Sequence, residues 1–220
     1  MITHRRLVLL RFIDKLLQGR GLCWCHGIGG KMSEQFYDED KARQQERVAA
    51  TPDMVAQRRV MLDLLDLKEG EHVLDVGSGN GIFAREILGT VAGSGHVCGI
   101  DSAEAMVAMA TDLCPNGRFL QGDATDLPVE DLSFDVVTAS QLLCFVSDID
   151  KALSEMFRVL NPGGRLVILD SDWGSLVWNC RDQALMDRVV TMMTGPPYAD
   201  AHVPRTLSRR LVATGFQVTD

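Results

Sequence analysis

From Thr51 onward the apolar residues follow two alternating rhythms. Short, mostly apolar runs of strand length occur at 72–76 (HVLDV), 96–100 (HVCGI), 118–121 (RFLQ), 134–139 (FDVVTA) and 165–169 (RLVIL). Between them the apolar positions recur at helical spacing. The first predicted helix starts at Thr51-Pro52, an N-cap followed by proline at the first helical position, and carries Val55, Met61, Leu62, Leu64 and Leu65 up to Lys68-Glu69-Gly70. Further helices are predicted over 82–88, over 103–113 with Ser102 as cap, and over 149–160 with Asn161-Pro162-Gly163-Gly164 as terminator. Residues 181–193 and 207–213 read as helices, and "TGPPYADAHVP" between them as a loop. Continuous rather than alternating apolar strands indicate a sheet covered on both faces. Strands alternating with helices then give a doubly wound, mainly parallel α/β sheet. The last segment, "GFQVTD", begins like a strand and stops, so the sheet's C-terminal edge is expected to be incomplete.

Residues 1–31 differ from this pattern, with Arg5, Arg6, Arg11, Lys15, Arg20 and Lys31 against a single acid, Asp14. They are expected to form a basic extension or to precede the true start of a domain spanning 32–220. Leu9, Phe12, Ile13, Leu16 and Leu17 also have the spacing of a basic amphipathic helix. The whole chain carries a formal charge of −8 and no basic block in its body, which disfavours a phosphate-held nucleic-acid partner. No apolar run is long enough for stable membrane insertion, so a cytoplasmic protein acting on small molecules is expected. The six cysteines (Cys23, Cys25, Cys98, Cys114, Cys144 and Cys180) show neither zinc spacing nor a C-x-x-C pair, and they read as reduced thiols with no metal. Cys23-x-Cys25-His26 is the one local cluster.

Chemistry concentrates at Gly77, Gly79 and Gly81, directly after the 72–76 strand. In an open α/β sheet the ligand crevice lies beyond the carboxyl ends of the strands. Glycines there allow a tight turn and close approach to backbone N–H groups, while the next helix presents its positive end. No Lys-Ser or Lys-Thr follows Gly81, which disfavours a nucleoside triphosphate. A dinucleotide fingerprint needs glycine where Ile82 stands.

Five segments in order, "VLDVGSGNG", "GIDSAEAM", "GDATDLP", "FDVVTASQLL" and "RVLNPGGRLVILD", resemble the class I S-adenosylmethionine-dependent methyltransferases, in particular the small-molecule, ubiquinone-biosynthesis-like group. The likeness runs strongly over 71–173. It implies a Rossmann-like methyltransferase sheet, S-adenosylmethionine as cofactor and a small-molecule acceptor. It implies a cofactor site formed by Asp75, Gly77, Ser78, Gly79, Gly81, Asp101, Ser102, Met106, Asp123, Ala124, Ser140 and Gln141. Asp101 is suited to vicinal ribose hydroxyls or to a helix cap. Asp123 is suited to the adenine amino group, with the Ala124 N–H meeting the ring, or to a turn. Asp75 would face the methionine ammonium or tie down the glycine loop. Met106 is either an adenine contact or plain core, and Ser140 and Gln141 would lie near the sulfonium.

The donor is already activated, so alignment alone can lower the barrier by about 7 to 11 kcal/mol in favourable cases. A base is optional, and none is evident: the segment after 134–139 reads Leu143-Cys144-Phe145, without histidine. His202 is either a base or a surface residue, and Asp170, Asp172 and Trp173 would shape an acceptor pocket or a polar loop. Phe36 and Tyr37 would belong to a lid or to ordinary surface packing. The alternative to an enzyme is a non-catalytic domain of the same fold.

Overall fold

Alternate residues of the central strands feed two separate hydrophobic layers. Leu74, Val137, Leu166 and Ile168 join one, while Val73, Val136, Val167 and Leu169 join the other. The computed structural model describes residues 6–9, 46–175, 179 and 181–219. Its strands are β1 (Arg6–Leu9), β2 (His72–Val76), β3 (His96–Asp101), β4 (Arg118–Gln121), β5 (Phe134–Ser140), β6 (Leu160–Leu169) and β7 (Gln217–Thr219). Its longer helices are α1 (Pro52–Leu65), α2 (Ile82–Val91), α3 (Glu104–Leu113), α4 (Ile149–Val159), α5 (Gln183–Thr194) and α6 (Pro204–Thr214). The doubly wound α/β reading is the fold observed.

Sheet order is β4-β3-β2-β5-β6-β1-β7, with every pairing parallel. The order reverses between β2 and β5, and the glycine loop leaves β2 at that switch point. Helix α4 shows why the layers hold: Asp148 accepts from the Lys151 N–H at 3.0 Å as its cap, and Ile149, Ala152, Leu153, Met156 and Val159 make one buried stripe. On the opposite face α1 and α2 bury Met61, Leu65, Phe83, Ala84, Ile87 and Val91. Arg165 closes the lower edge with a bidentate pair to Glu71, both contacts 2.7 Å, and a bond to the Asp66 carbonyl.

Three local readings change. Thr51 is the N-cap of α1 with Pro52 after it, as expected, but its Oγ1 makes no cap bond and donates to the Val48 carbonyl instead. Asn161-Pro162-Gly163-Gly164 does not separate a helix from a strand but bulges out within β6: Leu160 already pairs with Phe134, and pairing resumes with Arg165 opposite Val136. The Pro162 nitrogen cannot join a ladder, and Gly163 has φ 85°, so the excess residues leave the sheet there. Arg6–Leu9, expected in a detached extension, is a strand between β6 and β7, paired with both. Its "RLVL" is another short apolar run of the kind found in buried parallel strands. The remaining positions of the amphipathic helix expected at the N-terminus, Phe12 to Leu17, lie outside the described residues.

No helix among the described residues is long and apolar enough to cross a membrane. Deleting residues 1–9 should unpair β7 from the sheet, lowering Tm by about 2–4 °C for each kcal/mol lost, with faster hydrogen exchange at Gln217–Thr219. Unchanged exchange at those amides would show that β1 does not hold that edge.

Candidate functional site

Gly77, Gly79 and Gly81 all adopt positive φ, at 76°, 52° and 79°. A Cβ on Gly77 would lie 2.8 Å from the Leu142 side chain, and one on Gly81 would lie 2.8 Å from Ala110 Cβ. At Gly79 a Cβ would meet nothing within 4 Å. Two of the glycines therefore serve the protein's own packing, and the third faces open space. The turn is fixed by the Ile100 carbonyl, which accepts from Gly77 N at 2.8 Å and Ser78 N at 3.0 Å. Helix α2 starts at Gly81 with no side-chain cap and no acid in its first turn, leaving its positive end unneutralised.

Asp101 joins the loop to the next helix. Its Oδ2 accepts from Gly79 N at 2.9 Å and its Oδ1 from Ala103 N at 3.0 Å. This carboxylate holds the turn that leads into α3, whose N-cap is Ala103 and which has no side-chain cap; the cap expected from Ser102 is absent, and Ser102 is exposed. Burial raises the Asp101 pKa, opposed by the N–H groups of Ala103, Gly79 and Ser102. A carboxylate can accept about four hydrogen bonds, so acceptor capacity remains.

Beneath the loop lies a buried polar group that the sequence reading captured only in part. Asp75, 2% exposed, pairs in register with Gly99 on β3 and Thr138 on β5. Ser78 and Asn80 are buried beside them in sequence, and the Ser78 and Thr138 hydroxyl oxygens have no hydrogen-bond partner in the structure. Gly99 is bare because the Phe119 ring and Ser78 Oγ already fill its Cβ position, at 2.5 and 2.7 Å. Thr138, Asn80 and Gly99 were missed: a single threonine or glycine within an apolar run reads as ordinary strand, and an asparagine among glycines as ordinary turn. Burial, then the Asp101 charge, pushes the Asp75 carboxyl up to about 7.

Asp123 is exposed, and its Oδ1 accepts from both Thr125 N and Thr125 Oγ1 at 2.8 Å, which is the turn-forming role. Ala124 is buried beside it. Met106 is 1% exposed, packed as core. Gln141 takes a left-handed φ of 54°, donates its side-chain amide to Ser171 Oγ at 2.9 Å and has a buried, unpartnered Oε1. Ser140 ends β5 half-buried beside it.

Past β6, Asp170 Oδ2 accepts from the Leu143 and Cys144 N–H groups at 2.7 and 3.3 Å, fixing the short turn after β5. Burial lifts its carboxyl to about 6, against hydrogen bonds from Cys144 and three backbone N–H groups. Burial also raises Cys98, to about 11, and Cys114, while burial and Asp170 hold the Cys144 thiol protonated. These three are free, buried thiols. No group of three or more metal-ligating side chains occurs among the described residues. Cys23, Cys25, His26, Phe36, Tyr37 and Cys180 lie outside the described residues.

Residues 74–168 match the methyltransferase domain family. The chain is 35% identical over 182 residues to an uncharacterized 37.1 kDa transposon protein of Streptomyces fradiae, covering 81% of this chain and 53% of that one. It is 38% identical over 119 residues to the ubiquinone/menaquinone biosynthesis C-methyltransferase UbiE of Vibrio campbellii, covering 51% and 46%. The chain thus spans about half the length of the curated relatives it matches. A SAM-dependent methyltransferase structure from Aquifex aeolicus shares the fold, with TM-score 0.62, 23% identity, and 84% and 91% of the two chains covered. The fold and the glycine turn define a doubly wound α/β class. Over residues 74–168 the chain is similar to the methyltransferase domain family, and part of it is similar to the ubiquinone/menaquinone biosynthesis C-methyltransferases.

Two predictions follow from the loop and its floor. Gly79→Ala should cost only the left-handed backbone strain, about 1–2 kcal/mol, while Gly81→Ala adds a clash with α3 and should unfold at clearly lower denaturant. Equal losses would contradict the assignment of open space to Gly79. Asp75 and Asp170 bind protons in the folded state where the unfolded chain, with Asp near 3.9, has lost them. Their stabilisation is complete below about pH 4 and lost as pH rises through about 6 for Asp170 and about 7 for Asp75. Asp75→Asn should therefore gain stability relative to wild type between about pH 5 and 8 in urea unfolding; a gap independent of pH would contradict the raised value.

Proposed function

We propose that this chain transfers a methyl group from S-adenosylmethionine to a small-molecule acceptor by in-line displacement. The observation that carries the reading is the Asp101 carboxylate, held by Gly79 and Ala103 with acceptor capacity left, beside open space over Gly79. That cradle, with unpartnered buried hydroxyls of Ser78 and Thr138 under it, suits a polar, nucleoside-bearing ligand. When bound, the cofactor supplies an activated methyl group on a sulfonium.

We assign the N-terminal end of α2, which has no acid in its first turn, to the ligand's methionine carboxylate side. Asp101, with the Ser102 backbone beside it, accepts from the ribose hydroxyls. Both hydrogen bonds of Asp123 fall on Oδ1, so Oδ2 is assigned to the adenine amino group and Ala124 to the ring. Met106 supports that wall from the core. Asp75 balances the ammonium, and Ser140 and Gln141 border the reacting end. The chain's own contribution to rate is orientation and exclusion of water.

A thermal-shift titration tests this. S-adenosylhomocysteine at 100 times its Kd should stabilise the fold by about 2.7 kcal/mol, with no effect of NAD and no stabilisation in Asp101→Ala. Because a ligand cation favours ionised Asp75, affinity should rise with pH and level off above about 7, and that rise should vanish in Asp75→Asn. Absence of any shift would overturn the reading. Binding without transfer to any acceptor would favour the non-catalytic alternative.

A further inference from the structure

At the upper edge of the sheet the polar side chains beyond β6 are engaged with one another: Asp172 accepts from Arg205 Nε at 2.8 Å and lies 3.2 Å from His202 Nδ1, while Trp173 stacks on Tyr198. The lower edge, at the amino ends of the strands, carries a pair that the cofactor reading leaves unused. His72 opens β2 and His96 opens β3, and the two are register partners on adjacent parallel strands. Partnered positions on neighbouring strands project from the same face of the sheet, about 4.8 Å apart. Both histidines are exposed, and their rings meet with centroids 5.1 Å apart and planes inclined at 62°.

The backbone under these rings is already fixed. The His72 N–H donates to Asp135 Oδ2 at 3.0 Å, and the His96 N–H donates to the Glu71 carbonyl at 3.2 Å. Asp135 Oδ1 accepts from Asn161 Nδ2 at 2.9 Å, so this carboxylate is tied to β2 on one side and to the bulge of β6 on the other. Counted back one residue from the Val73–Val136 pair, Asp135 is the β5 neighbour of His72, which sets two histidines and one acid in a row across three strands. A polar recess of about 400 Å³, lined in part by Glu69, Glu71, Asp135, Asn161 and Arg165, adjoins that row. Arg165 neutralises Glu71, leaving Glu69 and Asp135 as the negative groups there, while Arg118 stands on β4 opposite Cys98, two positions along β3 from His96.

The separation of the rings has a chemical meaning. Edge-to-face aromatic pairs span about 4.5 to 7 Å, and this one falls at the short end. Imidazole nitrogens bind zinc at about 2.0–2.1 Å, and two of them on one tetrahedral ion place their ring centres about 5 Å apart. Imidazole ligands suit zinc, copper and nickel, whereas magnesium and calcium take oxygen ligands.

We propose that His72 and His96 together bind a divalent transition-metal ion of the zinc or copper kind, with water in the remaining positions and Asp135 as the neighbouring counter-charge. Two protein ligands make an open, exchangeable site rather than a closed structural one. The ion clips β2 to β3 at the ends opposite the glycine loop and Asp101. Five strand residues at about 3.3 Å each put it about 16 Å from Gly77, too far to touch the cofactor crevice. It is a brace for the two strands that carry the rim, and it stands independently of the methyltransferase reading.

Calorimetric titration with Zn²⁺ and Cu²⁺ near neutral pH tests this on wild type, His72→Gln, His96→Gln and a variant combining Cys23→Ser, Cys25→Ser and His26→Gln. Affinity should fall about tenfold or more in either of the first two variants, and the site should survive in the third, which removes the chain's other cysteine–histidine cluster. Zn²⁺ should raise the Tm of wild type and leave that of His72→Gln and His96→Gln unchanged, because an ion that binds only the folded state stabilises it. In wild type alone, Zn²⁺ should shift the ring NMR resonances of His72 and His96 more than those of His202, and electron paramagnetic resonance of bound Cu²⁺ should show two coupled nitrogens. Equal metal affinity in wild type and both histidine variants, loss of the site in the Cys23, Cys25 and His26 variant alone, or unmoved His72 and His96 resonances would overturn the proposal and leave the two rings as an edge-to-face contact.

Discussion

One carboxylate organises the upper edge of this sheet. Asp101 bonds at once to the glycine loop after β2 and to Ala103 just before α3, so two segments that would otherwise be separate become one rim. Charge-assisted bonds of this kind are about twice as strong as neutral ones, and burial strengthens them further. The Ile100 carbonyl, one residue earlier, accepts from Gly77 and Ser78, so the same strand end sets the turn. Remove that anchoring and Gly79 loses the orientation that opens it to a ligand.

The rim stands on an energetically awkward floor. Asp75 is buried with its carboxyl near 7, and two hydroxyls beside it lack partners, in the middle of a sheet whose other positions are apolar. An unsatisfied buried polar group costs about 1–3 kcal/mol. Such features persist where a ligand completes them, and the two hydrophobic layers supply the stability that tolerates them.

The parallel strands and helices were legible because continuous apolar runs and helical spacing are local signals, and the stripe of α4 shows how directly they translate. Gly77, Gly79, Gly81 and Asp101 were legible because left-handed turns leave few residue choices. Three things were not. β1 is a short apolar run like the other strands, but its place in the sheet depends on a partner strand some 150 positions away. The bulge within β6 depends on how Leu160 meets Phe134. The division of labour among short polar side chains before helices, where Asp101 rather than Ser102 holds the entry to α3, depends on rotamers that spacing does not encode.

The direct test of the central role of Asp101 is calorimetric. Affinities of S-adenosylhomocysteine and of its analogue lacking both ribose hydroxyls should be measured on wild type and on Asp101→Asn, forming a thermodynamic cycle. Removing the hydroxyls should weaken wild-type binding by about tenfold or more, as expected for charged hydrogen bonds of about 1.5–3 kcal/mol, with a much smaller effect in the variant. The same ratio in both proteins would mean that this carboxylate holds only its own loop and helix.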